Sequence, residues 1–262
     1  MSYKYLTVER DAHVATVTFN RPEVANASNF GLLEEIEACA FAFREDVDTR
    51  VVIFTGAGKH FCSGMDLNDW PAQMSSPLIL RRRRFRKGEQ AMHALLGMDQ
   101  ITIGAWNGGA IGGGACLALT MDFRIGGEGC FIQYPEIDLG LNLMWQSLPL
   151  TTRLVGPSRA KRLVIGGERL YDRTLKDWGL VEDVVATDDL LASANSFAKT
   201  YVNKSPVAAQ MIKRSINNIT GALDRALMHM DADQNLFATT MDDQTAAAEA
   251  YLNKTTPVFK GE

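Results

Sequence analysis

Clustered cysteine and histidine are missing from this chain, which holds only four of each in 262 residues. Cys39, Cys62, Cys116 and Cys130 lie apart, with no C-x-x-C pair and no metal-ligand spacing with a histidine. That excludes a disulfide framework and a zinc ribbon, so no metal is expected and the thiols read as the reduced thiols of a cytoplasmic protein. Long apolar runs are missing as well. None approaches the ~18 residues of a membrane span, and the first ten residues, M-S-Y-K-Y-L-T-V-E-R, are polar and strand-like, so neither secretion nor a membrane partner is expected. Nor is there an excess of positive charge. With 27 Lys and Arg against 31 Asp and Glu, the net charge of -4 gives no basic field, and no nucleic-acid partner is expected. The one basic run, Arg81 to Lys87, reads as a solvated helix face in preference to a polyanion patch.

What is present is the composition of a globular chain, 46% hydrophobic and 22% charged, long enough for one large core and an appendage. Alternation predicts a hairpin of Tyr5 to Arg10 and His13 to Phe19, and helical spacing predicts a helix over Phe30 to Arg44 with Ser28 or Asn29 as its cap. Short continuous apolar runs at Val51 to Thr55, Ile101 to Ala105 and Phe123 to Gly126 read as strands covered on both faces. Phe131 to Gln133 leads into Tyr134 to Gly140, and a last strand is expected at Leu180 to Val185. Arg81 to Leu96 reads as a helix. Leu148 to Val164 reads as two, broken at Gly156-Pro157 with Ser158 capping the second. Strand, loop, helix, strand recurs, which is the α/β pattern. From Asp188 onward the chain is helical: Leu190 to Tyr201, Pro206 to Asn217, Leu223 to Thr240 and Asp243 to Lys254.

The stretch Ile103 to Ile125, I-G-A-W-N-G-G-A-I-G-G-G-A-C-L-A-L-T-M-D-F-R-I, concentrates the chemistry. It holds Gly108, Gly109, Gly112, Gly113 and Gly114 within seven residues, then an apolar run that fits a buried helix. Glycines let backbone amides approach a ligand closely, and a helix starting there aims unpaired N–H groups and the positive end of its dipole at the same point. The pattern predicts a site for negative charge, either a bound phosphate or an oxyanion that develops during reaction.

Seven segments in register make the chain similar to the crotonase superfamily, the enoyl-CoA hydratase/isomerase family, over nearly its whole length. They are Asn20 to Ala27, Phe61 to Leu67, Trp106 to Asp122, Tyr134 to Gly140, Leu154 to Ala160, Gly179 to Val181 and Pro257 to Gly261. The resemblance implies a spiral of ββα units in residues 1–195, forming two nearly perpendicular sheets around an acyl-CoA site. It implies a helical oligomerisation domain in residues 196–262, and homotrimers or hexamers built as pairs of trimers. Coenzyme A then enters as part of the thioester substrate, with no separate cofactor.

By motif position the resemblance assigns the backbone N–H groups of Met65 and Gly113 to an oxyanion hole and Glu136 to acid/base catalysis. It places adenine along Ser63 to Leu67, Asp66 included, and near Ala25, with Lys260 approaching a phosphate and Arg81 to Arg84 adding further phosphate contacts. One departure matters. Family hydratases carry a glutamate two residues after the third glycine, where this chain has Cys116, read here as a small packing residue of the substrate pocket. A site with Glu136 alone resembles the enoyl-CoA isomerases, so isomerisation is expected ahead of hydration. The alternative is a CoA-thioester-binding protein with a vestigial catalytic site. Met144 stands where dienoyl-CoA isomerases carry an aspartate, and Trp145 and Gln146 stand where many members carry glycines, so a reshaped acyl pocket is expected. His60 and His93 read as surface or helix residues, and the direction of Asp138 is left open.

Overall fold

The computed structural model describes residues 2–69 and 74–262. Residues 70–73 lie outside the described residues. A six-stranded sheet runs in the order β1-β2-β3-β4-β6-β9. β1 (Leu6–Asp11) and β2 (Val14–Phe19) form the expected hairpin, turning at Ala12, whose φ is +48°. From β2 the sheet is parallel: β3 (Val51–Gly56), β4 (Ile101–Trp106), β6 (Phe123–Gly127) and β9 (Asp183–Val185). Every residue of β3 is buried, as a run without alternation requires when both faces are covered.

One face of this sheet meets α1 (Phe30–Ala42), which buries Leu32, Leu33, Ile36, Cys39 and Ala40 and is capped by Asn29, whose side chain accepts from Leu32 N at 2.8 Å. The other face carries Val51, Ile53, Ile103 and Ile125 against Leu190, Ala194 and Ala198 of α8 (Leu190–Val202). Residue 195 therefore lies inside a helix that packs on the sheet as one unit.

A smaller sheet joins β5 (Gly109–Ile111), β7 (Phe131–Gln133) and β8 (Leu170–Tyr171). β5 falls within the glycine stretch, for which only the helix that follows was expected; its parallel pairing with Phe131–Gln133 supplies the order that its own side chains do not. Further boundaries differ from expectation. Arg81 to Leu96 belongs to two helices, α2 (Leu78–Phe85) and α3 (Lys87–Leu96), divided at Arg86. α5 (Ser147–Val155) and α6 (Pro157–Ile165) break at the expected place, but Gly156 is the cap, Pro157 opens α6, and Ser158 lies inside it. Leu180 and Val181 are buried without strand pairing, Leu180 O accepting from Arg124 Nε at 2.6 Å. α7 (Asp172–Asp177) leads to them.

The C-terminal helices are α9 (Pro206–Gly221), α10 (Asp224–Met228), α11 (Asp231–Ala238) and α12 (Asp242–Asn253), so the single helix expected over Leu223 to Thr240 is two. Lys213 pins α9 to the core. Its ammonium is buried and donates to Gln100 O at 2.6 Å beside Asp122, 2.7 Å away. Val207, Met211, Ile212, Ile216 and Ile219 of α9 remain exposed. Among the described residues no helix is long and apolar enough to cross a membrane.

Candidate active site

The glycine stretch feeds β4 into β5 and then into α4 (Gly113–Leu119), every residue of which is buried. Gly112 turns the chain with φ +52° and ψ -121°, a conformation that glycine alone adopts without strain. As the first residue of α4, Gly113 has no acceptor for its N–H within the helix. The loop after β3 comes up beside it. Cys62 pairs with Ala110, Ser28 pairs with Met65, and a β-carbon added to Gly64 would stand 3.4 Å from Gly113 N. Ser28 bonds the neighbours of Met65, donating to Gly64 O and accepting from Asp66 N, which turns the N–H of Met65 away from Ser28.

Glu136 reaches this point from a 3₁₀ turn, Pro135–Leu139, that follows β7. Its Oε1 lies where a β-carbon on Gly112 would come within 2.7 Å, so the glycine gives the carboxyl its place. The residue is half-buried, yet Oε2 is enclosed and meets no hydrogen-bond partner among the described residues. Loss of water around the charge raises its pKa from the ordinary 4.5 to about 7, opposed only by the residue's own backbone N–H. Asp138, two residues on, is exposed and faces Gly167, so it does not share the site.

Cys116, 1% exposed, sits one turn into α4 and bonds its N–H to Gly112 O at 3.0 Å. Burial, and then the nearby Glu136 carboxylate, push its thiol well above the usual range. A thiol so held is a packing group and a poor nucleophile. Tyr134 is buried beside both and shares a hydrogen bond with Thr151 Oγ1 at 3.1 Å.

Trp145 is 3% exposed and fills the space beside Gly113: an added β-carbon there would strike its ring at 2.5 Å, and one on Gly88 of α3 at 1.8 Å. Trp145 and Gln146 have φ of +63° and +58°, the left-handed conformation that suits glycine. Gln146 is tied on three sides. Its N–H donates to Asp231 Oδ2 at 2.6 Å, its Nε2 to Glu89 Oε1 at 2.9 Å, and its Oε1 is 2.7 Å from His93 Nε2. Met144 is half-buried against the same core. Neither Gly88 nor Asp231 was singled out from the sequence; a glycine inside a predicted helix marks a close approach, whereas nothing local marks Asp231.

The residues expected at coenzyme A fall in two groups. Ala25, with φ +53°, and Ser63 meet through Ser63 N donating to Ala25 O at 3.1 Å, and Leu67 is half exposed beside them. Asp66 is occupied: against the upward pull of burial, Arg21 at 2.9 Å and the Asn68 amides hold its carboxyl below the usual range. Lys260 belongs to a tail whose N–H donates to Asp243 Oδ1 at 2.6 Å, while Gln244 packs on Gly140, which closes the Glu136 turn. Of the arginines, Arg82 is committed to Asp233 through two bonds of 2.7 and 2.9 Å and Arg84 donates to Ser76. His60 accepts from Gly109 N at 3.3 Å.

A sequence model of the enoyl-CoA hydratase/isomerase family matches residues 9–262. A short-chain-enoyl-CoA hydratase of Clostridium acetobutylicum is 31% identical over 258 residues, covering 97% of each chain. The crystal structure of an enoyl-CoA hydratase/isomerase from Pseudoalteromonas atlantica matches with a TM-score of 0.87 at 25% identity, over 98% of this chain and 100% of that one. A monofunctional enoyl-CoA isomerase from M. smegmatis matches with a TM-score of 0.71 at 30% identity, over 82% and 93% respectively. The mixed α/β architecture and these matches agree, and the chain belongs to the enoyl-CoA hydratase/isomerase family of the crotonase superfamily.

Proposed function

We propose that this protein isomerises enoyl-CoA thioesters with a single carboxylate, Glu136, and does not hydrate them efficiently. The observation that carries the reading is the enclosed, unpaired Glu136 carboxyl over Gly112, with the thiol of Cys116, and no second carboxylate, one turn into α4. The N–H groups of Met65 and Gly113 hold the thioester oxygen. Glu136 takes a proton from C2 of a β,γ-enoyl thioester, the electron pair moves onto that oxygen, and the two N–H groups stabilise the charge where water is excluded. The double bond closes between C2 and C3 as the same carboxyl returns the proton to C4. No water is consumed, so one base is enough. Adding water would need a second group to orient it, and a buried neutral thiol is a poor one.

Coenzyme A lies along Ala25, Ser63, Asp66 and Leu67, through backbone contacts since the Asp66 side chain is engaged, with Lys260 near a phosphate. We place the division between core and helical appendage at 203–205, because α8 packs as one piece, in preference to 195–196. The exposed apolar side chains of α9 support a homotrimer or hexamer. The test compares turnover of a 3-enoyl-CoA and of crotonyl-CoA by the wild type and Glu136→Gln. Isomerisation lost in the variant, with negligible hydration by the wild type, is expected. Efficient hydration of crotonyl-CoA overturns the single-base reading, and tight binding of thioesters with no turnover of either would make the site vestigial.

A further inference from the structure

A cavity of about 960 Å³ has neither Glu136, Met65 nor Gly113 in its lining. It lies among the core, α9 and α10, with Leu96, Leu119 and Leu154 in its wall and Lys213 and Arg153 contributing polar atoms. Trp145 stands between the cavity and Gly113: it is part of the cavity wall, and the far edge of its ring packs on Gly113. The ring is held there by construction. Two glycines from separate helices, Gly88 and Gly113, leave room that any β-carbon would take, and the three hydrogen bonds to Gln146 fix the left-handed backbone that aims the indole inward.

From this we infer that Trp145 is a specificity-determining residue that limits the site to short acyl groups, by closing the space between Gly113 and the cavity that a longer chain would have to enter. The inference rests on the acyl-CoA reading of the site. An acyl chain whose carbonyl sits at Gly113 meets an immobile aromatic wall, and extra methylenes have nowhere to go without displacing a side chain packed on two backbones. Removing the indole opens Gly113 to the cavity, and the apolar part of the cavity wall then receives the added carbons.

Binding of CoA and of butyryl-, hexanoyl- and octanoyl-CoA to the full-length protein is measured by calorimetry, for the wild type, Trp145→Ala and the milder Trp145→Leu. In the wild type, octanoyl-CoA is expected to bind at least about tenfold more weakly than butyryl-CoA. In the variants that ratio falls to about one or inverts, while the affinity for CoA itself stays the same. Equal wild-type affinities for the butyryl and octanoyl thioesters overturn the inference without any variant, and so does a folded variant that keeps the wild-type ratio. Absence of binding for CoA and every thioester overturns the acyl-CoA reading itself, and this inference with it.

Discussion

Replacing Glu136 with glutamine separates what the residue does for catalysis from what it costs the fold. Burial raises this carboxyl from 4.5 to about 7. A carboxyl whose folded pKa lies above its unfolded one is held best when protonated. Its favourable share is complete below pH 4.5 and is lost as the pH climbs to 7, because the unfolded chain releases the proton more readily than the native one. Across that window the wild type loses about 3 kcal/mol of stability to this one group, at 1.36 kcal/mol per pKa unit. Glutamine keeps the shape and cannot ionise. The amide brings a pH-independent penalty of its own inside the enclosure, so the decisive quantity is how the difference between the two proteins changes with pH. Urea unfolding at pH 5 and pH 8.5 should show Glu136→Gln gaining on the wild type by about 2–3 kcal/mol between the two conditions. Turnover should fall by roughly 10²- to 10⁴-fold at pH 8.5, where the wild-type carboxyl is ionised, and by less at pH 5. The wild-type kcat/KM should rise as the carboxyl deprotonates near pH 7. A constant stability difference from pH 5 to 8.5 would refute the claim that this carboxyl is desolvated, and with it the physical basis for making it the base.

Two further predictions test its surroundings. Gly112→Ala forces a β-carbon to within 2.7 Å of Glu136 Oε1 at a backbone φ of +52°. It should cost about 1–3 kcal/mol in urea unfolding, and displacement of the carboxyl should lower kcat by about 10²-fold. Cys39, Cys62, Cys116 and Cys130 are all buried with thiols pushed upward, chiefly by desolvation. Iodoacetamide at neutral pH should therefore add no mass to the native protein and four adducts after unfolding; a native adduct at Cys116 accompanied by loss of turnover would mark that thiol as reactive.

Much of the fold was legible because it rests on patterns a few residues long. The unbroken run of β3, the helical spacing of α1 and the Asn29 cap each state their environment locally, and all three stand in the structure. β5 was not legible, since Gly-Ala-Ile carries no strand signal and is ordered by pairing with Phe131–Gln133. The break at His229–Met230 escaped for a similar reason. Asp231 turns inward there to meet Gln146 N, an interaction 85 residues distant that no local spacing announces. In the site, the glycines and the Tyr-Pro-Glu turn pointed to the right neighbourhood. They could not show that Gly112 makes room for Glu136, or that Arg21 already occupies the Asp66 carboxyl.

The two departures from the family pattern, Cys116 and Trp145-Gln146, act on different parts of the site. Cys116 bears on the reagents: a buried neutral thiol stands in α4, and on the single-base proposal Glu136 is the group that takes and returns the proton. Trp145 changes the space. Two consecutive non-glycine residues in the left-handed region cost of order 1–3 kcal/mol each, and such strain persists only where the surroundings fix it. Here Asp231, Glu89 and His93 do so through Gln146, and the Asp231 carboxyl is itself buried and held above its usual pKa. The strain falls where the indole meets Gly113, so on the inference drawn above the fold's local cost and the limit on the acyl group share one origin.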